Sequence, residues 1–103
     1  MRVDWSNRAR DDLAELVDYI SRDSALYARI FGEKIVLSTR RLRDFPHSGR
    51  MIPEADDQSL REVIVQGYRV MYRVESARVL VLAVMHGSRD AARASNTPWK
   101  RED

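Results

Sequence analysis

A chain of 103 residues has room for one domain, and 44% hydrophobic residues supply enough Val, Leu and Ile for a core, which excludes a disordered chain. It contains no cysteine, so disulfide staples and cysteine-based zinc sites are excluded. The net charge of +2 is too small to indicate a polyanionic partner. Of the 18 basic residues only Lys34 and Lys100 are lysines; arginine's planar fork suits carboxylates and phosphates, although a GC-rich coding sequence accounts for the preference equally well.

In chain order, Arg2, Val3, Asp4 and Trp5 alternate as a short strand, and Ser6 is placed to cap a helix. Ala9, Leu13, Leu16, Val17 and Ile20 then recur at helical spacing, predicting a helix from about Asn7 to Arg22 with Asp11 and Asp12 in its early turns. Asp23 and Ser24 interrupt it. A second helix follows, with Ala28, Phe31, Ile35, Leu42 and Phe45 as its buried stripe and Leu26, Ile30 and Leu37 as a second apolar strip. Arg40, Arg41 and Arg43 occupy its last turns, where the helix dipole favours cations. The short link makes the two helices an antiparallel hairpin.

Pro46, Gly49 and Pro53 mark a loop that continues through the acidic Glu54, Asp56 and Asp57. Beyond it Leu60–Val65 reads as a strand and Gln66–Gly67 as a tight turn. Tyr68, Val70, Tyr72 and Val74 alternate with Arg69, Met71, Arg73 and Glu75, giving a strand with one apolar and one largely basic face. Ser76 and Ala77 turn the chain into Arg78–His86, apolar on both faces and suited to the inside of a sheet. The expected architecture is α+β in the order β-α-α-β-β-β. The helical hairpin covers one face of a small antiparallel sheet, and the opposite face presents Arg69 and Arg73 to solvent. A single domain over residues 1–95 and a polar tail over 96–103 complete the division, with a helical turn at Arg89–Ala94 and Trp99 alone among polar residues. The charged N-terminal residues give no sign of a signal peptide, and the longest apolar run, Val79 to Met85, is far short of the ~20 residues that span a bilayer, so a cytoplasmic protein without membrane contact is expected.

This order, and the residues that punctuate it, resembles the RelE/ParE toxins, and more closely their ParE branch. The likeness rests on Trp5-Ser6, Ala9, Asp12-Leu13 and Tyr19-Ile20 at the first helix, then on Phe45-Pro46, Gly49-Arg50 and Leu60-Arg61-Glu62. It continues through Tyr68-Arg69-Val70, Tyr72-Arg73-Val74 and the His86-Gly87-Ser88-Arg89-Asp90 ending. It spans nearly the whole chain. The resemblance implies the toxin of a type II toxin–antitoxin pair, neutralised by a small antitoxin, expected to be ParD-like with a ribbon-helix-helix pattern. It also implies one of two targets. ParE-like toxins act on DNA gyrase without hydrolysis; RelE-like toxins cleave messenger RNA on the ribosome. A toxin fold kept only as an interaction module is the third possibility.

The cleaving branch carries a lysine pair in the region occupied here by Leu60-Arg61-Glu62-Val63-Ile64, and a C-terminal tyrosine; this chain has neither, and no tyrosine follows Tyr72. Cleavage needs a base for the 2′-hydroxyl, cations for the phosphate and an acid for the leaving oxygen. His86 or Glu62 as base, with Arg69 and Arg89 as cations, is the set a nuclease would use. Gyrase inhibition is the preferred reading and no catalysis is expected, with target contact assigned to Arg61, Arg69, Arg73 and Arg89. Antitoxin contact is assigned to Leu26, Ile30 and Leu37 on the hairpin, together with pairing along the sheet. Neither cofactor nor metal is implied: His47 and His86 are too far apart in sequence for a persuasive metal site, and Asp56 and Asp57 add nothing to one.

Overall fold

The computed structural model describes residues 1–92 and 97–100. Strand β1 spans Arg2–Trp5, helix α1 Asn7–Ser21 and helix α2 Ala25–Arg40, followed by a 3-10 turn at Arg41–Arg43. A two-residue strand β2 (Arg50–Met51) precedes β3 (Leu60–Val65), β4 (Tyr68–Val74) and β5 (Arg78–His86), and the sheet runs β1-β5-β4-β3-β2. The hairpin-on-sheet order is the expected one, with two refinements. β1 pairs with β5 in parallel, and β2 adds a short rung beside β3 through Arg50 and Glu62.

Both helices begin where a hydroxyl stands ready. The Ser6 side chain accepts from the Ala9 amide at 3.0 Å, and Ser24 accepts from the Tyr27 amide at 3.1 Å, each satisfying a donor that has no partner within the helix. From α1, Ala9 enters the core and Leu13, Leu16, Val17 and Ile20 pack against it; from α2, Phe31 and Ile35 meet Val70, Val81 and Val84. Phe31 presents its edge to Tyr68, with ring centroids 5.3 Å apart. Phe45 does not join this stripe. The helix tightens into the 3-10 turn after Arg40, so Leu42 stays buried while Phe45 is rotated outward to 65% exposure.

Gln66 and Gly67 both take positive φ, 54° and 83°, and this two-residue turn matches the twist of β3 and β4. Opposite the step from Met71 to Tyr72 the β4–β5 ladder skips Leu82. That bulge changes the alternation of β5: Val79, Val81 and Val84 face the helix side, while Leu80 and Leu82 face away. An apolar run on both faces is explained by this, because both faces are covered.

The face away from the helices is not the open basic surface that the alternation of β4 suggests. Ile52, Leu60, Met71, Leu80, Leu82 and Ala91 form a second core there, with Trp99 packed against it. The loop after β2 and the segment after β5 close over the sheet. No helix forms within Arg89–Ala92, and the rest of the turn expected at Arg89–Ala94 falls outside the described residues.

Candidate functional site

The covered face is organised by one guanidinium. Arg69, whose side chain is 4% exposed, donates Nη1 and Nη2 to the Glu54 carboxylate at 2.8 and 2.6 Å, a two-pronged contact, and Nε to Glu62 at 2.7 Å. Glu62 is fully buried and also receives Arg50 at 2.6 Å. Arg69 Nη1 additionally donates to the Arg89 carbonyl at 2.8 Å, and Glu54 accepts from the Ala91 amide at 3.0 Å. The loop after β2, strands β3 and β4, and the chain beyond β5 are thereby held at one point. The Arg69 guanidinium holds the Glu54 carboxyl down to about 2 from its ordinary 4.5, and the two carboxylates in turn hold Arg69 protonated.

Arg61 and Arg73 are also committed internally. Arg61 donates to the carbonyls of Gln58 and Gly49, at 2.9 and 3.0 Å. Arg73 reaches Glu75 and the Trp99 carbonyl, each at 3.2 Å. Gly49 is obligatory in this arrangement: a Cβ there would lie 2.6 Å from both the Glu62 carbonyl and the Tyr72 hydroxyl. That hydroxyl accepts from the Gly49 amide at 2.9 Å, and burial pushes the Tyr72 phenol upward from its ordinary pKa.

On the helix side, a cleft of about 530 Å³ lies between α1 and the end of β5. Its walls include Asp12, Glu15 and Tyr19 from α1, Arg22 at its C-terminal cap, and His86 and Arg89 from the sheet end. β1 stops at Trp5, so side chains from the α1 N-cap and its first turns serve the edge of β5 beyond it. Ser6 donates to the Leu82 carbonyl at 3.2 Å, and Asp12 accepts from the Val84 amide at 3.0 Å. Desolvation raises the Asp12 carboxyl despite that amide. His86 accepts at Nδ1 from the Ser88 amide at 3.1 Å, and its ring meets Tyr68 edge-on. A backbone N–H can only donate, so the neutral ring carries its proton on Nε2.

The third candidate surface is the outside of the hairpin. Leu26, Ile30 and Leu37 are 59%, 37% and 54% exposed, on the side of α2 turned away from Phe31 and Ile35. They are not internal packing. Beside them runs a groove of about 520 Å³ between the helices, floored by Leu13, Val17, Ala28, Gly32 and Val36 and rimmed by Arg29, Glu33 and Arg40.

The residues a nuclease would use do not converge. His86 lies on the helix side, whereas Glu62 and Arg69 lie on the opposite face, buried and bound to each other. Of the four arginines assigned to target contact, Arg61, Arg69 and Arg73 are engaged in hydrogen bonds within the fold, and Arg89 alone lines the cleft. The sequence does not single out Glu54 as a site residue, although an acidic loop ahead of a strand with one basic face is the available signal. Among the described residues no three His, Cys, Asp or Glu side chains gather as metal ligands, and no helix is long and apolar enough to cross a membrane.

The backbone superposes with a TM-score of 0.70 on a chain of the chromosomal ParDE toxin–antitoxin system from P. aeruginosa, at 19% identity, covering 84% of this chain and 95% of that one. Toxin RelE2 of Caulobacter vibrioides is 30% identical over 89 residues, which is 85% of this chain and 97% of that protein. The fold and the sequence together define a toxin of the RelE/ParE superfamily. Within it, residues 3–91 match the ParE toxin of the type II toxin–antitoxin system parDE, and the chain belongs to that family.

Proposed function

We propose that this toxin acts by binding, with DNA gyrase as its target, and that its antitoxin neutralises it by docking on the helical hairpin. The observation that supports non-catalytic action is the division of the nuclease set between two faces of the sheet. Glu62 is occupied by Arg69 and Arg50, which leaves it no role as a base. His86 has its available lone pair on Nδ1 engaged by Ser88, and its other nitrogen is a donor. Neither group is poised to take a 2′-hydroxyl proton. Antitoxin docking is supported by the exposed Leu26, Ile30 and Leu37 strip and the adjoining groove, an apolar surface that an amphipathic partner segment would cover.

The test uses purified toxin in two parallel reactions, supercoiling of relaxed plasmid by DNA gyrase and cleavage of message on programmed ribosomes. Inhibited supercoiling with intact message is the expected result. Message cut in the ribosomal A site, and spared by His86→Ala, contradicts the proposal and assigns the toxin to the cleaving branch.

A further inference from the structure

The covered sheet face leaves unexplained what meets the target, because its arginines are engaged within the fold. The cleft between α1 and β5 supplies an alternative. Arg8 lies 3.7 Å from Asp12, and Arg22 lies 3.5 Å from Asp18, so these charges are matched locally. Two opposite charges remain in the cleft: Arg89 at the sheet end and Glu15 on the helix wall, neither with an ion-pair partner among the described residues. His86 lines the cleft together with Arg89, and with Nδ1 accepting from the Ser88 amide its Nε2–H is left as a donor. Tyr19, 66% exposed with the Arg22 guanidinium 5.7 Å from its ring centroid, stands at the rim as an aromatic anchor.

We infer that this cleft is the target-contact surface and that its occupant is a polypeptide segment, bringing a carboxylate to Arg89 and His86 and a basic side chain to Glu15. Charge decides the class of partner. Arg8, Arg22 and Arg89 in the lining are balanced by Asp12, Glu15 and Asp18, so a run of phosphates meets as much repulsion as attraction. A protein segment with both signs of charge meets complementary groups at both walls. The backbone of Arg89 is fixed from the other side of the sheet by Arg69, so its side chain is presented from an anchored segment. This inference rests on the reading that the toxin acts by binding a protein.

The test compares wild type with Arg89→Glu, Glu15→Arg and Tyr19→Ala, whose side chains carry no hydrogen bond among the described residues. Thermal midpoints establish that each variant is folded. Growth arrest after induction is measured beside inhibition of purified gyrase. The inference predicts that Arg89→Glu loses growth arrest and needs at least roughly tenfold more toxin for equal inhibition, with Arg89→Lys intermediate. Full growth arrest by both charge-reversed variants overturns the cleft. Growth arrest lost in the variants, while even wild type leaves gyrase unaffected, upholds the cleft and removes gyrase as the target. Binding of a labelled single-stranded oligonucleotide by wild type, abolished in Arg89→Glu, overturns the polypeptide partner in favour of a nucleic acid.

Discussion

At the scale of single residues, Arg69 best illustrates how sequence and structure diverge. Alternation along β4 correctly separates Tyr68, Val70 and Tyr72 from Arg69 and Arg73, but it cannot tell what lies over the basic side. The cover comes from a loop and a tail whose local sequence has no periodicity, so only the fold brings Glu54 to Arg69. Removing one member of such a pair leaves the other charge buried and uncompensated. Arg69→Met is therefore expected to cost about 3–5 kcal/mol in chemical unfolding, well above a surface change. Glu54 adds a pH dependence of definite sign. Its folded value of about 2 lies below the ordinary 4.5, so its stabilisation is complete above that ordinary value and is lost as pH falls toward about 2. Glu54→Gln should flatten the acid limb of the unfolding midpoint plotted against pH; an unchanged limb would show that the Arg69 contact contributes nothing. Asp12 has the opposite sign, raised by burial while accepting from Val84. Asp12→Asn, with an acceptor oxygen and no charge, is expected to be tolerated, whereas Asp12→Ala should cost about 1–3 kcal/mol by leaving that amide without a partner.

At the scale of elements, the sequence was most informative where one periodicity governs a long segment. α1 and α2 begin at the hydroxyl caps that Ser6 and Ser24 announce, and the Gln66-Gly67 turn falls where the apolar alternation changes strand. Phe45 was misplaced because a 3-10 turn advances each residue by more than an α-helix does, a change that composition does not announce. The parallel pairing of β1 was also hidden, since a four-residue strand does not reveal its neighbour. Gln66 occupies a backbone conformation that asparagine adopts more readily, and Gln66→Asn is expected to stabilise the hairpin by about 0.5–1 kcal/mol, seen as a raised thermal midpoint. The exposed strip on α2 makes a separate prediction. Ile30→Glu and Leu37→Glu should leave the free toxin folded and weaken its complex with the cognate antitoxin, each by roughly tenfold or more in calorimetry. Unaltered affinity in both would show that the antitoxin binds elsewhere.

At the scale of the whole molecule, the two faces of the sheet do different work. The helix side carries the exposed strip, the interhelical groove and the charge-balanced cleft; the other side is a closed second core pinned by Arg69. Candidate residues were legible as residue types and positions, but their grouping was not, because His86 and Glu62 are separated by a sheet that sequence spacing does not represent. That separation underlies the central claim, that the toxin works by occupying a target rather than by cutting one. The most direct measurement is the order of events in cells after induction, with amino-acid incorporation and the DNA-damage response followed together from the first minutes. The account predicts a rising damage response while translation continues. Translation that stops first, with no damage response, would contradict it.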